Sequence, residues 1–100
     1  MNRFESRLNL EKLQAALTIV VGNDIIIPYI EEREVIIINS IMHGYVWRYK
    51  KYCVKVDLNS IVNTEILEHG ELDRSVEDIR EYVKGELYRL ISQEVKDNVM

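Results

Sequence analysis

Two runs of three consecutive isoleucines, at 25–27 and 36–38, constrain the fold of this chain more than any other feature. Isoleucine branches at Cβ, so it loses side-chain freedom in a helix and packs well on a pleated sheet. Both runs are therefore predicted to be strands, and the polar residues 31–33 between them are predicted to form a hairpin turn. Pro28 has no backbone N–H, which places the first strand at a sheet edge or ends it there.

The segment 45–58 predicts a third strand, which the chain enters through a reversal at 42–45, where a glycine permits the turn. Apolar and aromatic side chains alternate with polar ones, but the alternation changes phase at Lys50-Lys51. A β-bulge there would bring both sets of rings onto one face, and we favour it because two lysines are unusual in a tight turn. The alternative is a turn that divides the segment into two strands. Residues 59–73 are predicted to be largely irregular, because they contain two clusters of turn-forming residues. Ile61, Ile66 and Leu67 could anchor a short strand or helical turn there.

Both ends of the chain have helical periodicity. Leucines at 10, 13 and 17 predict a first helix over 10–21, which Gly22-Asn23 would end. Ser75 is a candidate N-cap for a long C-terminal helix. The apolar stripe of that helix is formed by Val76, Ile79, Val83, Leu87, Leu90 and Ile91. Gly85 interrupts the helix interior, and we expect it to mark the close approach of another backbone.

These elements predict a single α+β domain over residues 1–100. Its antiparallel sheet has three to four strands, flanked by an N-terminal helix and a long C-terminal amphipathic helix. We expect both helices to pack on one face of the sheet. The alternative is that the two helices cover opposite faces of a monomer.

The strand at 35–38 is apolar at both alternating positions, so it requires cover on both faces. Helices on one side only would leave Ile36 and Ile38 facing water. An exposed apolar patch on a small protein usually marks a contact with a partner. We therefore predict a homodimer that forms through the open sheet face or through the C-terminal helix, with Ile36 and Ile38 as self-association residues.

A small positive island lies within an acidic protein. The net charge is −4, yet residues 45–58 contain four basic residues and one acid. Exposed rings beside basic side chains bind single-stranded nucleic acid, by stacking on bases and contacting phosphates. The candidate residues are Tyr45, Trp47, Arg48, Tyr49, Lys50, Lys51 and Lys55. The competing interpretation is that the rings fill the core while the basic residues face water and protect a sheet edge.

Few residues are suited to catalysis. His43 and His69 each precede a glycine and fall in predicted loops, where a small enzyme or ligand-binding site could be built. Cys53 is the one cysteine, and its place on an apolar strand predicts a small buried side chain. No spacing typical of metal ligands, phosphate-binding loops or catalytic carboxylates occurs, so we expect no metal, no cofactor and no enzymatic activity.

The leading functional hypothesis is a small interaction or regulatory protein that associates with itself or with another protein. Nucleic-acid binding through residues 45–55 is the alternative, and a site at the His43 and His69 loops is the third hypothesis. Size and charge are typical of small viral or plasmid accessory proteins. No uncharged stretch, including the one at 13–23, is long enough to span a bilayer, and no signal peptide is evident, so we expect a cytoplasmic protein.

Overall fold

The computed structural model describes residues 3–37, 40–68 and 73–99, and it confirms the α+β class. The elements in chain order are α1 (Arg3–Ala16), β1 (Ile19–Val21), β2 (Asp24–Ile26), β3 (Tyr29–Val35), β4 (Ser40–Tyr49), β5 (Tyr52–Asn59), α2 (Ser60–Glu68) and α3 (Asp73–Val99). The strands form two antiparallel sheets, one with the order β1-β2 and one with the order β3-β4-β5. Within the described part of the chain, no helix is long and apolar enough to cross a membrane.

The first helix begins and ends earlier than the leucine spacing predicts. Helix α1 spans Arg3–Ala16, and the predicted helical residues after it form strand β1 instead. The β-branched run from Thr18 to Val21 favours extended backbone over helix. Gly22, with a φ of 63°, is therefore not a helix stop but part of the turn that joins β1 to β2.

Two predicted reversals lie in the middle of strands, and both predictions are wrong. Residues 31–33 are paired with β4 within β3, and residues 42–45 are paired with both β3 and β5 within β4. The chain turns instead after Val35, so Ile36 and Ile37 belong to the turn rather than to a strand. Charged residues are tolerated at 31–33 because β3 is an edge strand and their side chains can find partners across the sheet.

The turn that we rejected at Lys50-Lys51 is the one that forms, and the favoured bulge is wrong. Tyr49 pairs with Tyr52, so only the two lysines connect β4 to β5. Lys50 adopts the left-handed backbone conformation with a φ of 57°. Two-residue hairpin loops favour positive φ at the first loop residue because such turns match the twist of the flanking strands.

The C-terminal half is more helical than predicted. Helix α2 occupies part of the segment expected to be irregular, and its first turn is capped by Asn59, whose Oδ1 accepts a hydrogen bond from the backbone N–H of Val62 at 2.8 Å. Helix α3 confirms the predicted C-terminal helix. Gly85 faces open space, with no atom near the position of an added Cβ, so the close backbone approach expected there is absent from the described chain.

The larger sheet has one face against the helices and one open face. The core face contributes Tyr45, Trp47 and Val54, and all three helices pack against it, which confirms that the terminal helices share one face. The helix residues in this core are Leu10, Leu13, Leu17, Ile66, Val83 and Leu87. Register places the open-face residues in the opposite alternation; they include Tyr29, Glu31, Arg33, Arg48, Lys55 and Asp57.

Candidate functional site

The basic-aromatic segment, residues 45–55, divides between the two faces of the sheet. Tyr45 and Trp47 point to the core face and are 0% exposed. The indole Nε1 of Trp47 donates a hydrogen bond to the backbone carbonyl oxygen of Leu17, at 2.9 Å, which satisfies the one polar atom of the ring. Burial raises the pKa of the Tyr45 hydroxyl. In this fold, neither ring is available to stack on a base.

The two tyrosines that flank the β4–β5 turn are half-buried. The ammonium of Lys50 lies 5.3 Å from the centroid of the Tyr49 ring, and that of Lys51 lies 5.8 Å from the Tyr52 ring. Lys51 also forms an ion pair with Glu94 of α3. The turn is thus held between its own rings and the C-terminal helix, and cation–π contacts occupy the ring faces on which a base would stack.

The remaining basic residues of the segment lie on the open face. The guanidinium of Arg48 is 5.5 Å from the centroid of the Tyr29 ring, and its Nε donates a hydrogen bond to the Tyr29 hydroxyl at 3.2 Å. That hydrogen bond holds the pKa of Arg48 above its ordinary value. The sequence does not predict this contact, because Tyr29 and Arg48 are far apart in the chain and meet only through the pairing of β3 with β4.

An ion-pair ladder crosses the open face over Gly44. Lys55 Nζ lies 2.9 Å from Glu31 Oε2, and Arg33 lies 3.5 Å from Asp57. A Cβ on Gly44 would approach Lys55 Cε to 2.8 Å, so the lysine side chain passes directly over the glycine. The contact with Lys55 lowers the pKa of Glu31, and the same hydrogen bond raises the pKa of Lys55. Carboxylates of the same chain therefore compensate part of the positive island.

The exposed isoleucines of the predicted self-association site are in a turn. Ile36 is 85% exposed and its neighbour Ile37 is 95% exposed. Ile36 faces water, as predicted. Both isoleucines lie in the β3–β4 turn, however, and not on the sheet face. Ile38, the second predicted residue, lies outside the described residues. Turns usually contain glycine, asparagine or aspartate, so two β-branched apolar residues there gain little for the folded monomer.

A second apolar surface was missed by the sequence analysis. The chain alternates strictly between buried and exposed side chains from Ile25 to Ile30, continuing through Pro28. Ile25 and Ile27 are 71% and 61% exposed, and Tyr29 follows on the same side. Val20 is paired with Ile25 across the small hairpin and is also exposed. We call these four residues the outward row. The alternating pattern itself was the available signal, but three adjacent isoleucines concealed it.

The histidine hypothesis loses its predicted loop. His43 lies within β4 and is buried, with its Nε2 3.6 Å from Glu32 Oε1. His69 lies outside the described residues. Among the residues described, no group of three or more histidine, cysteine, aspartate or glutamate side chains could hold a metal ion. Cys53, expected to be buried, is an exposed free thiol on the open face.

Comparison with family models, with curated proteins and with solved structures finds no match for this chain.

Proposed function

We propose that this protein is a non-enzymatic interaction module that works by associating with protein, and first of all with a second copy of itself. The observation that carries the proposal is the outward row: Val20, Ile25, Ile27 and Tyr29 present adjacent apolar side chains to water. Ile36 and Ile37 add a second exposed apolar segment at the other end of β3. Adjacent apolar side chains of this kind typically mark contacts with partners.

The contacts around the basic-aromatic segment support protein association over nucleic-acid binding. Two of its rings are in the core, and two of its lysines are paired with Glu94 and Glu31. Binding a phosphate would require those ion pairs to be exchanged. Val20, Ile25 and Ile27 of the outward row have apolar side chains that form no ion pair, so covering them with a second protein surface removes exposed apolar area from water without breaking one.

Sedimentation velocity over a dilution series tests the proposal. We expect the wild type to self-associate, and Ile27→Asp to weaken the association, because a charge would enter the apolar interface. Tyr82→Asp is the matched control, since Tyr82 is exposed to a similar degree on α3. A wild-type protein that sediments as a monomer at every concentration contradicts self-association. If Tyr82→Asp weakens the association as much as Ile27→Asp does, the interface includes α3 as well.

Nucleic-acid binding is the second candidate, and the β4–β5 turn is the observation that favours it. Arg48, Lys50 and Lys51 are all exposed around this turn, each beside a tyrosine ring. Labelled single-stranded RNA and DNA should then bind with an affinity that falls steeply with salt. Lys50→Glu would weaken that binding, whereas Lys84→Glu on α3 would not. An affinity that is independent of salt and of Lys50 would eliminate this candidate.

A further inference from the structure

Strand β3 is an edge strand whose outer backbone pairs with no other strand of the described chain. Such an edge presents free N–H and C=O groups that can accept another strand. Native proteins block unwanted pairing with charges, and the four residues 31–34 of β3 are all charged. An edge protected by mixed charges still accepts a strand whose charges are complementary, so the order of the charges decides which partner fits.

The open-face positions of β3 form a self-complementary pattern. They read Tyr29, Glu31, Arg33 and Val35, that is apolar, acidic, basic and apolar. A two-fold axis perpendicular to the sheet keeps the open face of both copies on the same side and makes the two strands antiparallel. Placed at Glu32, this axis sets Glu31 against Arg33 of the second copy, and Tyr29 against its Val35. Because the axis repeats each contact, the oppositely charged pair and the apolar pair each form twice.

The same axis relates the two unexplained apolar segments. Position 27 stands as far before Glu32 as position 37 stands after it, so the axis places Ile27 of one copy at the end of the paired strands where the β3–β4 turn of the other copy lies. The side chains of Ile27 and Ile37 are largely exposed in the single chain. One symmetry operation therefore brings part of the outward row of one copy and Ile36 and Ile37 of the other to the same end of the paired strands.

Neighbouring registers do not share this complementarity. An axis at Glu31 sets that glutamate against itself and Tyr29 against Arg33. An axis at Arg33 sets Arg33 against itself on the open face, and Glu32 against Glu34 on the other face. Like charges directly opposite each other destabilise a strand pair. The Glu32 register leaves one such contact, between the two copies of Glu32, whose carboxylate also lies 3.6 Å from the Nε2 of His43.

We infer that two copies of this chain pair antiparallel through β3, in register about Glu32, to form one continuous six-stranded sheet. The inference rests on the proposed function, because it specifies the geometry of the self-association. The backbone edges supply the hydrogen bonds, and the order of charges selects a second copy over other strands. Glu31 and Arg33 remain more than half exposed beside Lys55 and Asp57, so each can accept a further partner.

A charge exchange tests the register. In sedimentation velocity, Glu31→Arg and Arg33→Glu should each weaken the dimer about tenfold, since two favourable contacts become repulsive. The double variant should return the dissociation constant to within about threefold of wild type, because the pairs re-form with reversed charges. Within one chain, the double variant sets both residues against like charges on Lys55 and Asp57. If the double variant instead loses as much binding free energy as the two single variants together, the inference is wrong.

Cross-linking tests the axis without changing the charge pattern of the open face. In a Cys53→Ser background, Glu32→Cys should form a disulfide between copies, because directly opposite residues place their Cβ atoms within bridging distance. Glu34→Cys is the control, since its opposite position is Ile30. Equal cross-linking of the two variants overturns the Glu32 register. A dimer that is sensitive to Ile27→Asp but not to the charge exchange overturns this inference alone, whereas a monomer overturns the proposed function too.

Discussion

The indole Nε1 of Trp47 and the backbone carbonyl oxygen of Leu17 are joined by a hydrogen bond of 2.9 Å in the interior of the protein. It connects the central strand β4 to the chain just after α1. Without this donor, the buried carbonyl would lose its side-chain partner.

Trp47→Phe should lower the free energy of unfolding by about 1–3 kcal/mol, through the lost hydrogen bond and the smaller ring. Urea unfolding followed by circular dichroism measures the change. Tyr88→Phe, on the exposed part of α3, is the control and should stay within about 0.5 kcal/mol of wild type. An unchanged midpoint in Trp47→Phe would show that the bond does not contribute.

Burial of Trp47 also predicts the fluorescence of the protein. As the one tryptophan, with 0% exposure, it should emit at short wavelength and resist quenching by iodide in the native state. Unfolding should shift the emission to longer wavelength and restore quenching. Strong iodide quenching in the native protein would contradict the packing of Trp47. Labelled oligonucleotides, not this tryptophan, are accordingly the right probe for nucleic-acid binding.

Two asparagines near the start of α2 should respond to substitution in opposite directions. Asn63 is 2% exposed, and neither polar atom of its side chain has a hydrogen-bond partner among the described residues. Asn63→Leu should raise the free energy of unfolding by about 1–3 kcal/mol, because the cost of burying an unpaired amide disappears. Asn59→Ala removes the cap of α2 and should lower it by about 0.5–2 kcal/mol. If Asn63→Leu lowers the free energy of unfolding as Asn59→Ala does, the amide of Asn63 is hydrogen-bonded inside the protein.

The pairing of Lys55 with Glu31 predicts a pH dependence at both ends of the scale. The hydrogen bond from Lys55 lowers the pKa of Glu31. This contribution to stability is complete above the ordinary glutamate pKa and disappears as the pH falls through the lowered value. Lys55 has a raised pKa, so its contribution is complete below the ordinary lysine pKa and disappears as the pH rises through the raised value.

Carboxyl NMR titration of the Lys55→Met variant checks the cause of the Glu31 shift. The pKa of Glu31 should rise toward its ordinary value when the ammonium is removed. Glu86, whose pKa is lowered by its own pair with Arg89 on α3, should titrate as in the wild type. A Glu31 pKa that does not move would assign its shift to other charges on the open face.

The two lysines of the β4–β5 turn should differ in their response to glycine. Lys50 has a φ of 57°, which costs a side-chain-bearing residue roughly 1–2 kcal/mol relative to glycine. Lys50→Gly should therefore stabilise the protein by about 1 kcal/mol, as measured by thermal and urea unfolding. Lys51→Gly should destabilise it, because the ion pair with Glu94 is lost and no positive φ is relieved. Equal effects would contradict the backbone conformation described for the turn.

Local sequence patterns were sufficient for much of the fold. The leucines of α1 and the stripe of α3 predict the terminal helices, because periodicity directly records which side of an element meets the core. The alternation of Tyr45 and Trp47 with basic residues offered burial of the rings as the competing interpretation and did not decide it. The same sequence patterns do not locate the ends of the helices and strands. The predicted helix over 10–21 included residues that form β1, and the predicted turn at 31–33 lies inside a strand.

The sequence by itself determined the α+β class, the terminal helices and the separation of rings from basic residues along β4 and β5. Only the tertiary structure decided that Lys50 and Lys51 form a turn, that Lys55 crosses Gly44 to reach Glu31, and that the outward row is exposed. The physical reason is the range of the forces involved. Helical periodicity and strand alternation arise from neighbouring residues, whereas ion pairs and exposure depend on strand register, which is set by the packing of the whole chain.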